Sequence, residues 1–173
     1  MNIFFTSYNP HECAHHLDDK RLNKMIVETA QILSTVGRLK LPSEQCDFMH
    51  LYKATHVNHP CVRWAVQSID NFTFLEKLLL AYLDEYKFRF GKTHACYRLL
   101  LAANAASMAI WPSVRAWEIK PQSEPPHCFH PLVDRTLPVT TGYQQTLRLK
   151  WLNDIREPKW TNREKPCFAD ILP

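Results

Sequence analysis

Lys20, Lys24, Glu28 and Gln31 follow one another at intervals of four, four and three residues. On an α-helix that spacing stacks two amines, a carboxylate and an amide in a single stripe. Lys24 precedes Glu28, the poorer order for a helix-stabilising i,i+4 pair, so helix stability is not an obvious reason for the arrangement. Two readings stand. The stripe is a solvated face, or it is one wall of an active cleft. In the second, Lys20 or Lys24 supplies an amine and Glu28 a carboxylate to one site.

A second set of polar residues surrounds Pro60. His56, Asn58 and His59 precede it in the run Thr55-His56-Val57-Asn58-His59-Pro60, at a helix N-terminus whose free N–H groups and dipole attract anions such as phosphate. The plainer alternative is a capping loop with incidental histidines. Further on, Asn71, Glu85 and Arg89 fall in line with Trp64 and Leu78 on an otherwise apolar helix. Bare polar groups buried there cost several kcal/mol, on the order of 2–7 for a neutral one, so they must be paired or line a cleft. Glu85 and Arg89, one turn apart, can form a structural ion pair or floor a pocket. Lys92 and His94 sit near the same end.

Other motifs carry less. His11-Glu12-Cys13-Ala14-His15 matches H-E-x-x-H, which on a helix gives two imidazoles and a general base to zinc. It lies close to the first residue, no downstream third ligand stands out, and the expectation is no bound metal. His127 and His130 can complete a site only on paper. Lys150-Trp151 and Lys159-Trp160 each join a cation to a large ring, the pairing of a nucleic-acid surface. Trp151 belongs to an amphipathic helix and reads as core; Trp160 follows Pro158 and is the better base-stacking candidate.

The elements that must hold these residues read as helices. Residues 2–8 are a short strand or an extended lead-in. Asn9-Pro10 opens a helix with Asn9 as cap. A longer one runs from Asp18 to Val36 with Gly37 as its stop, and Leu22, Met25, Ile26, Thr29, Leu33 and Val36 form its apolar face. Ser43 caps a short helix through Tyr52. Pro60 to Phe90 reads as the longest and most buried helix, ended by Gly91, with Arg63, Asp70, Thr73, Lys77 and Asp84 in solvent. Thr93 to Ile110 follows, stopped by Trp111-Pro112. Residues 112–139 hold six of the 12 prolines and read as a loop. A last helix runs from Thr140 or Thr141 to Arg156, before a basic tail over 157–173.

Composition agrees with an all-α, compact single-domain fold over residues 1–173. Three glycines are too few for the tight turns of an all-β chain. The 173 residues suit one core, and the hydrophobic share of 46% is ordinary. No apolar run nears the ~18 residues of a membrane span, and Met1-Asn2-Ile3-Phe4-Phe5 lacks a signal's basic start. Six scattered Cys without a CxxC pair read as free thiols of a reducing compartment. A net charge of +4 permits a polyanionic partner.

Taken together, several stretches carry a resemblance: Met1-Asn2-Ile3-Phe4-Phe5; Asp19-Lys20, Lys24-Met25 and Glu28-Thr29-Ala30-Gln31; Thr55-His56, Asn58-His59-Pro60-Cys61 and Trp64; Glu85-Tyr86, Arg89-Phe90-Gly91-Lys92 and His94. Over nearly the whole chain the pattern resembles a family of small phage-encoded proteins. More remotely, the order of features is similar to the phage-type pyrimidine-dimer DNA glycosylases, and Arg156-Glu157-Pro158-Lys159-Trp160 is similar to their aromatic C-terminal stretch. The resemblance implies a compact all-α enzyme of the infected host's cytoplasm, working on double-stranded, damaged or modified DNA without a cofactor. Such enzymes break a glycosidic bond through an imine formed by an amine, assisted by a carboxylate. The family amine is that of a small second residue exposed by Met removal. Asn2 is large for that, so the expectation is that Met1 stays, and the Met1 amine or a lysine serves.

The resemblance therefore implies a DNA glycosylase/lyase-like or base-modifying enzyme in which Lys20 or Lys24, its pKa lowered by the neighbouring cation, attacks C1′ of a flipped nucleotide, and Glu28 stabilises the cationic transition state and shuttles the proton. Asp19, Gln31, His56, Asn58, His59, Asn71, Glu85, Arg89, Lys92, His94 and Trp160 hold phosphates or base edges. The rivals are a non-catalytic DNA or nucleotide binder using the same cationic pocket and, behind it, a zinc hydrolase.

Overall fold

The computed structural model describes residues 1–110 and 123–170, with the backbone alone for 106–110. Among the described residues the regular structure is helical, without a strand: α1 (Pro10–His16), α2 (Asp19–Lys40), α3 (Ser43–Phe48), α4 (Pro60–Ala65), α5 (Ile69–Phe90), α6 (Tyr97–Ile110), α7 (Val139–Leu152) and a short 3-10 turn at Cys167–Ala169.

The first residues are extended and run into the core. Ile3, Phe4 and Phe5 are buried, and the Tyr82 hydroxyl of α5 donates to the Ile3 carbonyl at 2.9 Å. This seats Met1 and Asn2 against α2. Asn9 caps α1, its Oδ1 accepting from the His11 N–H, with Pro10 in the first turn.

α2 does not stop at Gly37. It continues to Lys40, because Gly37 is a packing residue: a Cβ there meets Leu51 Cδ1 at 2.7 Å. The long helix expected from Pro60 to Phe90 is two helices. Ser68 takes an extended conformation and caps α5 by accepting from the Asn71 N–H at 3.1 Å, which breaks the chain after the single turn and a half of α4. The buried face is as read, with Phe72 and Leu79 fully buried and Leu83 nearly so, but α5 is no longer than α2, at 22 residues each, and Thr73 is half-buried. Gly91 ends α5 at φ +64°, where a glycine meets no Cβ penalty.

α6 starts at Tyr97 rather than Thr93, since the His94 Nδ1 accepts from the Cys96 N–H and turns the chain first. The Trp111-Pro112 stop and the proline-rich stretch as far as residue 122 lie outside the described residues. From 123 to 138 the chain is irregular. α7 ends at Leu152 rather than Arg156, with Asp154 turned back onto the start of α2 to meet Lys20 and Arg21.

α2 and α5 pack together, α1 lies on α5, and α4 and α6 touch both long helices. One continuous hydrophobic cluster joins them to the lead-in and α7. No helix among the described residues is long and apolar enough to cross a membrane.

A candidate active site at the N-terminus of the chain

The buried lead-in and the exposed face of α2 enclose a pocket of about 240 Å³ lined by Met1, Asn2, Phe4, Lys20, Arg21, Lys24, Met25, Glu28 and, from α7, Lys150. Among the described residues that line it, Glu28 is the only carboxylate. The Oε2 accepts from the Asn2 backbone N–H at 2.8 Å and lies 3.9 Å from the Met1 amine. The Oε1 lies 3.5 Å from Lys24 Nζ. Glu28 is mostly covered (side chain 14% exposed) while Lys24 is 66% exposed, so a sheltered carboxylate faces a solvent-accessible amine.

Asn2 fixes the geometry. Its Oδ1 accepts from the Ile3 and Phe4 N–H groups, and its Nδ2 donates to the Cys128 carbonyl. Phe4 takes φ +41°, a left-handed conformation that costs a bulky residue about 1–3 kcal/mol and is held only where the surroundings enforce it. Strain beside a pocket is a mark of a site built for something other than stability.

The electrostatics are those of a polyanion site with one base. Lys20, Arg21, Lys24, Lys150 and the Met1 amine oppose Glu28. Burial, helped by the Arg21 and Lys24 charges, holds the Lys150 pKa below its ordinary value. His59 lies against the same place: its ring contacts the Met1 backbone, and burial followed by the Met1 and His56 charges lowers its pKa. It also caps α4, its Nδ1 accepting from the Cys61 N–H.

The expected residues divide. Lys20, Lys24 and Glu28 share the pocket, although Lys20, 72% exposed, gives its ammonium to Asp154 at 3.0 Å. Gln31 is half-buried one turn beyond Glu28. His59 borders the site, while His56, at φ +49°, hydrogen-bonds Thr55 Oγ1, and Asn58 is exposed in the same loop.

Asn71, Glu85 and Arg89 are not brought to this pocket. The Arg89 side chain is 0% exposed, and its five N–H groups go to Glu85 Oε1, Asp19 Oδ1 and the carbonyls of Ala14, His15 and Leu17. No donor is left for a phosphate. Glu85 also takes Arg163 at 2.9 Å; burial pushes its pKa up, but Arg163 and Arg89 outweigh it and hold the carboxyl below the usual range. Asn71 gives its Nδ2 to the Trp64 carbonyl and Ser123 Oγ, and its Oδ1 accepts from the Ser123 N–H. These three polar residues are joints of the fold.

Asp19 likewise binds Arg89 and the Thr161 N–H and hydroxyl. Trp160 is tucked edge-on against Trp151, its Nε1 donating to the His16 carbonyl, so the ring is not free to stack. Lys92 is exposed beyond α5, and His94 packs on Tyr86 with its Nε2 3.1 Å from Asn23 Oδ1. In the H-E-x-x-H run His15 faces Glu85 and Glu12 accepts from Ser7 Oγ. His127 contacts the Arg135 carbonyl and stacks on Phe129. Among the described residues no group of three or more His, Cys, Asp and Glu is placed to hold a metal.

The family model for pyrimidine dimer DNA glycosylase matches residues 1–98. The chain belongs to that family. Comparison with curated proteins and with solved structures found no match. The matched stretch holds the lead-in, α2 with its Lys-Glu stripe, and the His56–His59 loop, so membership rests on the segment that makes most of the pocket. A DNA substrate and glycosylase-like chemistry come with the family. Lys150 lies beyond the match, in α7.

Sequence reasoning missed Arg21 and Lys150 as pocket residues. Arg21 is buried, one position from Lys20, and bridges Asp18 and Asp154 at 2.9 and 2.7 Å; only the return of α7 explains a buried cation there. Lys150 carried a signal, as the lysine beside Trp151, but nothing local says that the end of α7 reaches the pocket.

Proposed function

We propose that this pocket removes a damaged pyrimidine from duplex DNA by amine catalysis, with Glu28 as the assisting carboxylate. The observation that carries the reading is the position of Glu28, with one oxygen against the N-terminal backbone and amine and the other against Lys24. An amine lone pair attacks C1′ of the flipped nucleotide. The glycosidic bond breaks with its electrons leaving on the base, the C1′–O4′ bond then opens, and the two protons lost by the amine pass to the base and to O4′, leaving a C1′=N imine. Glu28 shuttles these protons and stabilises the positive charge that develops at C1′.

Two amines are in reach, those of Met1 and Lys24. The first is the better nucleophile: as a class, α-amines are far less basic than lysine ammonium groups and so keep more free base at neutral pH. Lys24 then joins Lys150 in holding the flanking phosphates, and His59 positions the N-terminus.

The test is incubation with duplex DNA bearing a single cyclobutane pyrimidine dimer, with borohydride added to reduce any imine. A covalent protein–DNA adduct mapping to the Met1 peptide is expected. Glu28→Gln should lower adduct formation at least ~100-fold while leaving DNA binding intact. An adduct on Lys24 would move the nucleophile; DNA binding with no adduct and no alkali-labile strand break at the lesion would make the protein a non-catalytic binder.

A further inference from the structure

Two thiols meet behind the pocket. Cys61 stands in the first turn of α4 and Cys128 in the irregular segment before α7, and their sulfurs are 3.7 Å apart. Cys61 is buried and Cys128 half-buried. By contrast, Cys13 and Cys46 turn their sulfurs to the backbone carbonyls of Ser7 and Leu41, and Cys167 is exposed on the 3-10 turn. The pair is also wired to the site, since the Cys128 carbonyl accepts from Asn2 Nδ2 and the Asn2 N–H binds Glu28.

We propose that Cys61 and Cys128 form a peroxide-oxidisable dithiol that closes to a reversible disulfide at the wall of the pocket. Cys128 reacts first. It is the more accessible of the two, and its pKa is pulled down to about 7, chiefly by the hydrogen bond it shares with Cys61 and further by Tyr143 and the Met1 charge. That same contact, together with burial, pushes Cys61 up. The thiolate is the reactive form, and a low-pKa thiolate next to a resolving thiol is the arrangement of redox-active cysteines.

The chemistry balances. The Cys128 sulfur attacks one oxygen of hydrogen peroxide, the O–O bond breaks, and hydroxide leaves to become water on taking a proton. The Cys61 sulfur then attacks the sulfenic sulfur of Cys128; the S–S bond forms, the S–O bond breaks, and a second water departs with the Cys61 proton. Two thiols lose two electrons and one peroxide becomes two waters. The sulfurs must close from 3.7 Å to the ~2.0 Å of a disulfide, a movement that draws on the Cys128 backbone holding Asn2. The bond forms or fails to form whatever the pocket acts on.

The experiment treats the folded protein with a small excess of hydrogen peroxide, blocks remaining thiols and maps the peptides. A Cys61–Cys128 cross-link that dithiothreitol reverses is expected in the wild type. In Cys61→Ser, dimedone should label Cys128, and in the untreated protein iodoacetamide should alkylate Cys128 roughly tenfold faster than Cys13 near neutral pH. The proposal is overturned if Cys61 and Cys128 both remain free after peroxide, or if the cross-links that appear run between molecules through Cys167. The wild-type map decides the matter even if the serine variant folds poorly.

Discussion

At the scale of single residues, Glu28 is held where a helix-surface carboxylate ordinarily is not. Its partners come from the chain's first two residues and from the preceding turn of α2, so it is fixed without being buried among apolar groups. The surrounding cations differ in what they are free to do. Lys20 is engaged by Asp154, and Arg21 is spent on Asp18 and Asp154, whereas Lys150 enters the pocket from α7. Lys150→Ala should weaken DNA binding and flatten the plot of log affinity against log salt by about one unit, the signature of one lost phosphate contact. Lys20→Ala should change that slope much less. Binding titrations over a range of salt concentrations check both.

At the scale of elements, the break between α4 and α5 does two things. It ends one helix at Ala65 and lets the next start on a side-chain cap, the Ser68 hydroxyl accepting from the Asn71 N–H. It also frees Asn71 to bind Ser123 and the Trp64 carbonyl, tying the returning chain to the core. Ser68→Ala should cost about 1 kcal/mol as a lost cap, and Leu79→Ala, in the fully buried middle of α5, about 2–5 kcal/mol as a core truncation. Urea unfolding of the two variants measures the difference. Equal small effects would mean that α5 is not the central element.

At the scale of the whole molecule, the tail closes the structure. Thr161, Asn162 and Arg163 bind Asp19, the Arg89 carbonyl and Glu85, where α1, α2 and α5 meet. Stability depends on pH in two windows. Burial lowers the pKa values of His15, His16, His59 and His94 below their ordinary 6.5. On acidification the unfolded chain therefore takes these protons first, and stability falls as pH drops below about 6.5. Glu85 acts lower. Its folded pKa is depressed below 4.5, so its contribution is full above that value and is lost as pH falls through the folded pKa. Melting temperatures from neutral to acid pH should show two declines, and Glu85→Gln should shrink the lower one, which Asp154 shares through its hydrogen bonds to Arg21 and Lys20.

The helical class, the Asn9 and Gly91 boundaries and the buried face of α5 were legible in the sequence, because each follows from local chemistry: a capping side chain, a residue free of a Cβ, an apolar period of 3.6. The Lys24–Glu28 pair was legible for the same reason, since both residues lie on one helix and their spacing alone brings them together. Tertiary structure decided the rest. Asn71, Glu85 and Arg89 stood out as polar residues in an apolar stripe, which is true of a pocket floor and of a structural joint alike; only the carbonyls of α1, the Asp19 carboxylate and the returning Ser123 and Arg163 make them joints. Gly37 reads as a stop until Leu51 packs on it. Met1, Lys150 and the Cys61–Cys128 pair reach their places through contacts between segments far apart in the chain. No local period encodes those, because they depend on how the helices pack.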